Sequence, residues 1–262
     1  MLTEPAVSWQ YLVNNDIGGT LDSTNFGKYD QLMQICLATD AYCAIDIHNF
    51  ARVNAQIIGQ GGPSNAQFAD LWTQLSTKYK DNSKVVFGLM NEPHDVDIGI
   101  WANTVHAAVT AIRTAGATTQ MILLPGNNFT SAGQFVSNGS GGALLNVTNP
   151  DGSTTGLIMD VHKYLDVDNS GEHAECTTDN ISDAFAIVAA FLRENGRQAM
   201  VSETGAGSTS SVGCSPPYKE TALTLSSASQ TSAPKILSST RTQTYSSATL
   251  LGQQALFQPC MF

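Results

Sequence analysis

The sequence predicts an α/β protein, with a (β/α)8 barrel as the leading architecture. Three observations lead there. Segments of helical and strand period alternate from about residue 25 to 197, the strand-like segments are apolar enough to be buried, and polar residues collect where those segments end. At 262 residues the chain can enclose one large core. A doubly wound sheet is the structural alternative, and it is weakened because no glycine-rich phosphate loop follows the early strands.

The elements follow in order. Phe26, Tyr29, Leu32, Met33, Cys36 and Leu37 recur at helical spacing, and Ala41 to Ile47 then reads as a strand. Phe68, Leu71, Trp72, Leu75 and Tyr79 repeat the helical pattern before the strand Val85 to Met90. Trp101 to Ala115 is a helix stopped by Gly116, followed by a strand over Met121 to Leu124. Leu157 to Val161 is another strand. Asn180 to Asn195 is a helix with Asn180 as its expected cap, and Ala199 to Ser202 is the last clear strand. Residues 1–207 therefore form the expected catalytic domain, and 208–262, rich in Ser and Thr with Pro216 and Pro217 adjacent, an irregular or disordered tail.

Charge narrows the partners. The formal net charge is -10, from 12 Lys+Arg against 22 Asp+Glu, and the cations are scattered, which excludes nucleic acid and anionic membranes as natural partners. Only 13% of residues are charged, so neutral polar groups cover the surface, as suits an enzyme acting on a neutral polymer. The five cysteines contain no CxxC pair, which leaves zinc and redox readings without support, and no cofactor is expected. Cys36 and Cys43 could form a local disulfide or remain two buried thiols. Four glycosylation sequons, at Asn128, Asn138, Asn146 and Asn180, favour an extracellular protein, although no signal peptide or transmembrane run is present.

The strand ends carry the chemistry. His48 and Asn49, Asn91 and Glu92, Asn127 and Asn128, His162 and Tyr164, and Glu203 would converge on one face of a parallel barrel. Two glutamates at separate strand ends fit a retaining glycosidase, which needs a proton donor to the leaving oxygen and a nucleophile at the anomeric carbon. Glu92 takes the first role and Glu203 the second. Asn91 is placed to donate to the sugar 2-hydroxyl, Tyr164 to the nucleophile, and His48 and His162 to orient hydroxyls or carboxylates. A metal is not expected, because neither histidine has an acidic partner at ligand spacing.

Asp46-Ile47-His48-Asn49, Met90-Asn91-Glu92-Pro93-His94, Val161-His162-Lys163-Tyr164 and Ser202-Glu203-Thr204-Gly205 together resemble the motifs of glycoside hydrolase family 5, in particular its fungal-type endo-β-1,4-glucanases. The likeness runs from about Trp9 to Gly205. It implies a retaining cellulase with Glu92 as acid/base, Glu203 as nucleophile, and Asn91, His48, His162 and Tyr164 in supporting positions. It also implies a Cys36–Cys43 disulfide, a Cys176–Cys214 pair, a monomer and a β-glucan substrate. A mannanase or other β-glycanase is the alternative within enzymes, and an inactive carbohydrate-binding product the alternative outside them.

Both ends depart from the resemblance. Family members carry a first strand and then a second bearing an arginine just before the Trp-Gln-Tyr stretch; here Glu4-Pro5-Ala6-Val7-Ser8 takes that place. The last two strands and their sugar-stacking tryptophan are also missing or altered. The frame beginning at the third nucleotide of each codon from Arg241 to Phe257 can encode a segment resembling that final strand. Residues beyond about 208 are therefore expected to be a frameshifted translation or a missed splice, and Met1 an artificial start within the second strand. A barrel so opened exposes strand edges, and a chain of this sequence is expected to be poorly stable and weakly active or inactive.

Overall fold

A computed structural model describes residues 2–173, 180–205 and 236–238. Its elements run β1 (Leu2–Thr3), β2 (Ala6–Val7), α1 (Trp9–Leu12), α2 (Asn25–Ala38), β3 (Tyr42–Ile47), β4 (Arg52–Val53), β5 (Gln56–Ile57), α3 (Asn65–Tyr79), β6 (Val85–Gly88), α4 (Ile98–Thr114), β7 (Ile122–Pro125), α5 (Ser140–Leu144), β8 (Leu157–Tyr164), a π-helical turn (Ile181–Phe185), α6 (Ala186–Asn195), β9 (Gln198–Gly205) and β10 (Ile236–Ser238).

All the long strands pair in parallel in one sheet, in the order β1, β3, β6, β7, β8, β9, β10, with β2 also on β3. That is the sequential order of a (β/α)8 barrel. Among the described residues no ladder joins β10 to β1. The N-terminal segment takes the edge beside β3, with Leu2 opposite Tyr42 and Ala6 opposite Asp46. The segment expected to be irregular supplies β10, which pairs with Ala199 to Val201 of β9.

Two apolar layers position the strands. Alternate residues Ala44, Val86, Leu123, Ile158 and Met200 face the lumen and pack together there. The other strand faces meet the helices, where Trp9, Phe68, Trp72, Phe87 and Trp101 form a chain of ring contacts 5.8 to 6.4 Å apart. Trp101 is fixed further by its indole N–H, which donates to the Pro125 carbonyl at 3.0 Å. Helix α3 starts on a full capping box, with Ser64 and Gln67 exchanging side-chain and backbone bonds.

Local expectations needed correction in three places. Asn180 does not cap its helix through its side chain: it sits at φ 56°, and the chain enters the helix through a π turn. Strand β6 stops at Gly88, short of Met90, because the backbone leaves the ladder to build the site. Strands β8 and β9 run on to Tyr164 and Gly205, so the residues His162, Tyr164 and Glu203 stand within paired strands. The Cys36–Cys43 disulfide is present, between the end of α2 and the start of β3. Cys176 and Cys214 lie outside the described residues.

Candidate active site

The site lies at the carboxyl ends of β3, β6, β8 and β9. At β3, the apolar alternation is broken by Asp46, which is 3% exposed and faces the lumen. His48 Nδ1 and Asp46 Oδ2 are 2.7 Å apart, and His48 Nε2 meets the Asn91 amide at 3.2 Å. With Nδ1–H donated to Asp46, Nε2 can accept from Asn91. Burial pushes the His48 ring toward neutrality, but the Asp46 carboxylate, with Glu203 and Glu92 beyond it, raises its pKa overall.

After β6 the backbone turns sharply. Asn91 N–H still donates to the Ile47 carbonyl at 2.9 Å, but Glu92 adopts φ 43°, a left-handed conformation uncommon for a residue with a long side chain. That conformation delivers its carboxylate to His162 Nδ1, 2.9 Å from Oε1. Such strain is typical of a residue whose placement outweighs its local cost. The facing loop is strained too, since Asn128, Phe129 and Thr130 all have φ near 57°, at 56°, 58° and 56°. It carries the Thr130 carbonyl to the His162 N–H at 2.9 Å and so extends the sheet past β7.

His162 is the hub. The ring is 3% exposed, with Nδ1 bonded to Glu92 and 3.6 Å from Glu203 Oε2, and Nε2 3.8 Å from Asp160 Oδ2. Burial alone would favour the neutral ring. Asp160, Glu92 and Glu203 outweigh it, and the ring's pKa stands well above the ordinary histidine range. Tyr164 Oη–H donates to Glu203 Oε2 at 2.8 Å. Two glycines make room for that phenol: a β-carbon at Gly171 or Gly205 would come within 2.5 or 2.9 Å of the Tyr164 ring.

Glu92, His162, Glu203, Tyr164, Asn91 and His48 thus come together at one end of the sheet. Asn49 has a different task. Its Oδ1 accepts from Trp9 N–H at 2.7 Å and its amide donates to Gln10 and to the Arg52 carbonyl, so it fastens α1 and the β4–β5 hairpin beneath the site. Asn127 likewise exchanges two bonds with the Val96 backbone.

In sequence the histidines lack acidic partners at metal-ligand spacing, but in space Glu92, His162 and Glu203 place donor atoms within 4.8 Å of one another. His162 Nδ1 is already engaged with Glu92 there, and the surrounding carboxylates favour the protonated ring, which disfavours metal ligation. In a second trio His173 pairs with Asp166 and Asp168 at 3.3 Å each, while Asp166 Oδ1 is buried without a hydrogen-bond partner.

Four residues of the site escaped the strand-end argument: Asp46, Asp160, Ser202 and Glu4. The first two had a signal, a lone carboxylate inside an apolar strand. Glu4 had none. It stands between β1 and β2, where the family resemblance calls for an arginine, and its field reaches Asp46, Asp160, Glu203 and His162. Burial first, then the three carboxylates, raise its pKa well above the usual carboxylate range. The folded state therefore binds this proton more tightly than the unfolded chain, and stability present at low pH is lost as pH rises through the folded-state pKa. Glu4→Gln is expected to raise the melting temperature by a few degrees near neutral pH and to leave it unchanged at pH about 4, as read by thermal melts across pH. Equal shifts at both pH values would contradict this.

Comparison with known proteins gives a consistent picture. The family model described as cellulase (glycosyl hydrolase family 5) matches residues 5–236. Endoglucanase EG-II of Hypocrea jecorina is 65% identical over 205 residues, covering 78% of this chain and 49% of that protein. Endoglucanase 1 of Saitozyma flava is 54% identical over 205 residues, covering 78% of this chain and 60% of that protein. The crystal structure of Cel5A (EG2) from Hypocrea jecorina superposes with a TM-score of 0.78 at 64% identity, over 79% of this chain and 63% of that one. The chain thus spans about half the length of the first of these curated relatives.

Proposed function

Because this chain belongs to the cellulase family, glycosyl hydrolase family 5, we propose that it is a retaining endo-β-1,4-glucanase acting on internal bonds of cellulose and related β-glucans. The observation that carries this reading is the approach of the two glutamates, whose nearest donor atoms lie within 4.8 Å, with His162 between them. Inverting enzymes keep their carboxyl groups roughly 6.5–9.5 Å apart to admit a water, whereas retaining enzymes hold them about 5–5.5 Å apart.

Glu203 attacks the anomeric carbon as Glu92 gives its proton to the departing glycosidic oxygen. The product is a covalent glycosyl ester on Glu203 and a freed chain end. Glu92, now ionised, takes a proton from water, which attacks the same carbon and releases Glu203. Tyr164 orients the nucleophile through its 2.8 Å bond, and His162 holds Glu92 at 2.9 Å. Asn91 has an amide hydrogen left over from its bond to His48 for the sugar 2-hydroxyl. The rim suits a pyranose, since Phe129 is 45% exposed and stacked on His94 with ring centroids 4.5 Å apart.

A polymeric glucan has to be met outside the cell, and the disulfide supports that placement. Of the sequons, Asn146 is exposed, while Asn180 is buried and closed to a glycan. Among the described residues no helix is long and apolar enough to cross a membrane. We expect a monomer.

The test is release of reducing ends from carboxymethylcellulose, mannan and xylan side by side, with the first-formed product followed by NMR. Carboxymethylcellulose should be cleaved fastest and the product should emerge as the β-anomer. Faster cleavage of mannan would move the specificity within the family. An α-anomer would overturn the double displacement, and cello-oligosaccharide binding with no cleavage would leave a binding protein.

A further inference from the structure

Asp160 is a carboxylate 5% exposed in the middle of β8, with Pro125 and Met200 as its partners on the adjoining strands. Its two oxygens are divided between two neighbours. Oδ1 accepts the Ser202 hydroxyl at 2.5 Å, and Oδ2 lies 3.8 Å from His162 Nε2, an ionic contact rather than a hydrogen bond. Each of those neighbours governs one or both of the paired glutamates.

Ser202 sits at a register shift. The β8–β9 ladder runs Asp160 opposite Met200 and Val161 opposite Val201, then steps to His162 opposite Glu203, leaving Ser202 as the extra residue of a bulge. Met200 faces the lumen, and strict alternation from it would send Glu203 to the helix side. The bulge lets Ser202 and Glu203 both serve the lumen, and the Ser202–Asp160 bond ties it down. On the other side, His162 offers Nδ1 to Glu92 and Glu203 and Nε2 to Asp160.

We propose that Asp160 is a positioning residue for the catalytic pair, fixing with one oxygen the bulge that turns Glu203 inward and with the other the imidazole that holds Glu92. The proposal rests on the assignment of those glutamates as acid/base and nucleophile. A purely structural role explains Asp160 poorly, because a buried ion pair adds little net stability over an apolar residue of similar size. Other charged and titratable groups facing His162 are Glu92, Glu203, Asp46 and Glu4, with Tyr164 reaching it through Glu203. Only Asp160 approaches Nε2 among the ion pairs of the described residues.

The test uses the full chain. Asp160→Asn keeps an acceptor for Ser202 and removes the charge beside Nε2; Ser202→Ala removes the clamp and keeps the charge. With histidine labelled by nitrogen-15, His162 in Asp160→Asn should deprotonate about one pH unit lower than in the parent, since loss of a neighbouring anion lowers a histidine pKa. On a dinitrophenyl cellobioside, the same variant should lose roughly tenfold or more in kcat, with KM little changed and the alkaline limb moved to lower pH. Ser202→Ala should lower kcat without moving that limb, and Ser202→Thr should restore it. An unchanged His162 titration in Asp160→Asn overturns the proposal. If that variant fails to fold, parent-like kcat in Ser202→Ala overturns it instead. A chain without any turnover, the outcome expected of an incomplete barrel, would count against the activity proposed for this chain alone, while the His162 titration, which needs no turnover, still decides the role of Asp160.

Discussion

Glu203→Gln is expected to abolish hydrolysis of carboxymethylcellulose, with kcat falling by a factor on the order of 10,000 or more. The covalent route requires Glu203 to displace the leaving oxygen and then to be displaced by water. A neutral amide can do neither step well, and it removes the negative charge that meets the oxocarbenium-like transition state. The shape of the site should survive, because the amide oxygen can accept the same Tyr164 Oη–H that now bonds Oε2 at 2.8 Å. Binding of cello-oligosaccharides should therefore persist within a few fold, and the thermal melt should match the parent. Reducing-end assays, calorimetric titration and melting curves on one preparation separate these outcomes. Activity within tenfold of the parent would remove Glu203 from the nucleophile's role and with it the retaining mechanism.

The fold was legible where burial dictates residue type. The apolar run ending in Val85–Gly88 and the helical spacing of Phe68, Leu71, Trp72 and Leu75 are forced by the helix–sheet interface, so the pattern alone locates them. The two glutamates proposed as acid/base and nucleophile stood out for the opposite reason, since a carboxylate at or just past the carboxyl end of a buried strand has no packing role. What the pattern could not carry was geometry that breaks alternation. The left-handed turn at Glu92, the bulge at Ser202 and the π turn before α6 each shift side chains by one position without changing composition. Asp160 and Asp46 were readable in principle as lone carboxylates in apolar strands. Their partners, Ser202 and the two histidines, come from register and cross-strand approach, which one sequence does not display. The sheet edge occupied by Leu2 to Val7 has a similar origin: Glu4 gains its meaning only from the groups that the curled sheet places around it.

Glu92→Gln should separate the two chemical steps by leaving group. On cellulose the departing sugar oxygen is strongly basic and needs the proton that Glu92 supplies, so kcat/KM should fall by about 100- to 10,000-fold. On a dinitrophenyl cellobioside the leaving group departs as a stable anion, and the first step should remain within roughly tenfold of the parent. The second step still lacks its base, since the amide that replaces the Glu92 carboxylate cannot take the proton from water. The ester on Glu203 should therefore accumulate, giving a burst of phenolate followed by a slow steady state, with kcat and KM falling together. Intact-mass measurement during the steady state should find most of the protein carrying one cellobiosyl unit. The 2.9 Å bond to His162 sharpens the expectation, because a Gln amide oxygen can still accept from Nδ1–H and keep the ring in place. Equal loss on both substrates, with no burst and no adduct, would mean that Glu92 supports the site without acting on the leaving oxygen.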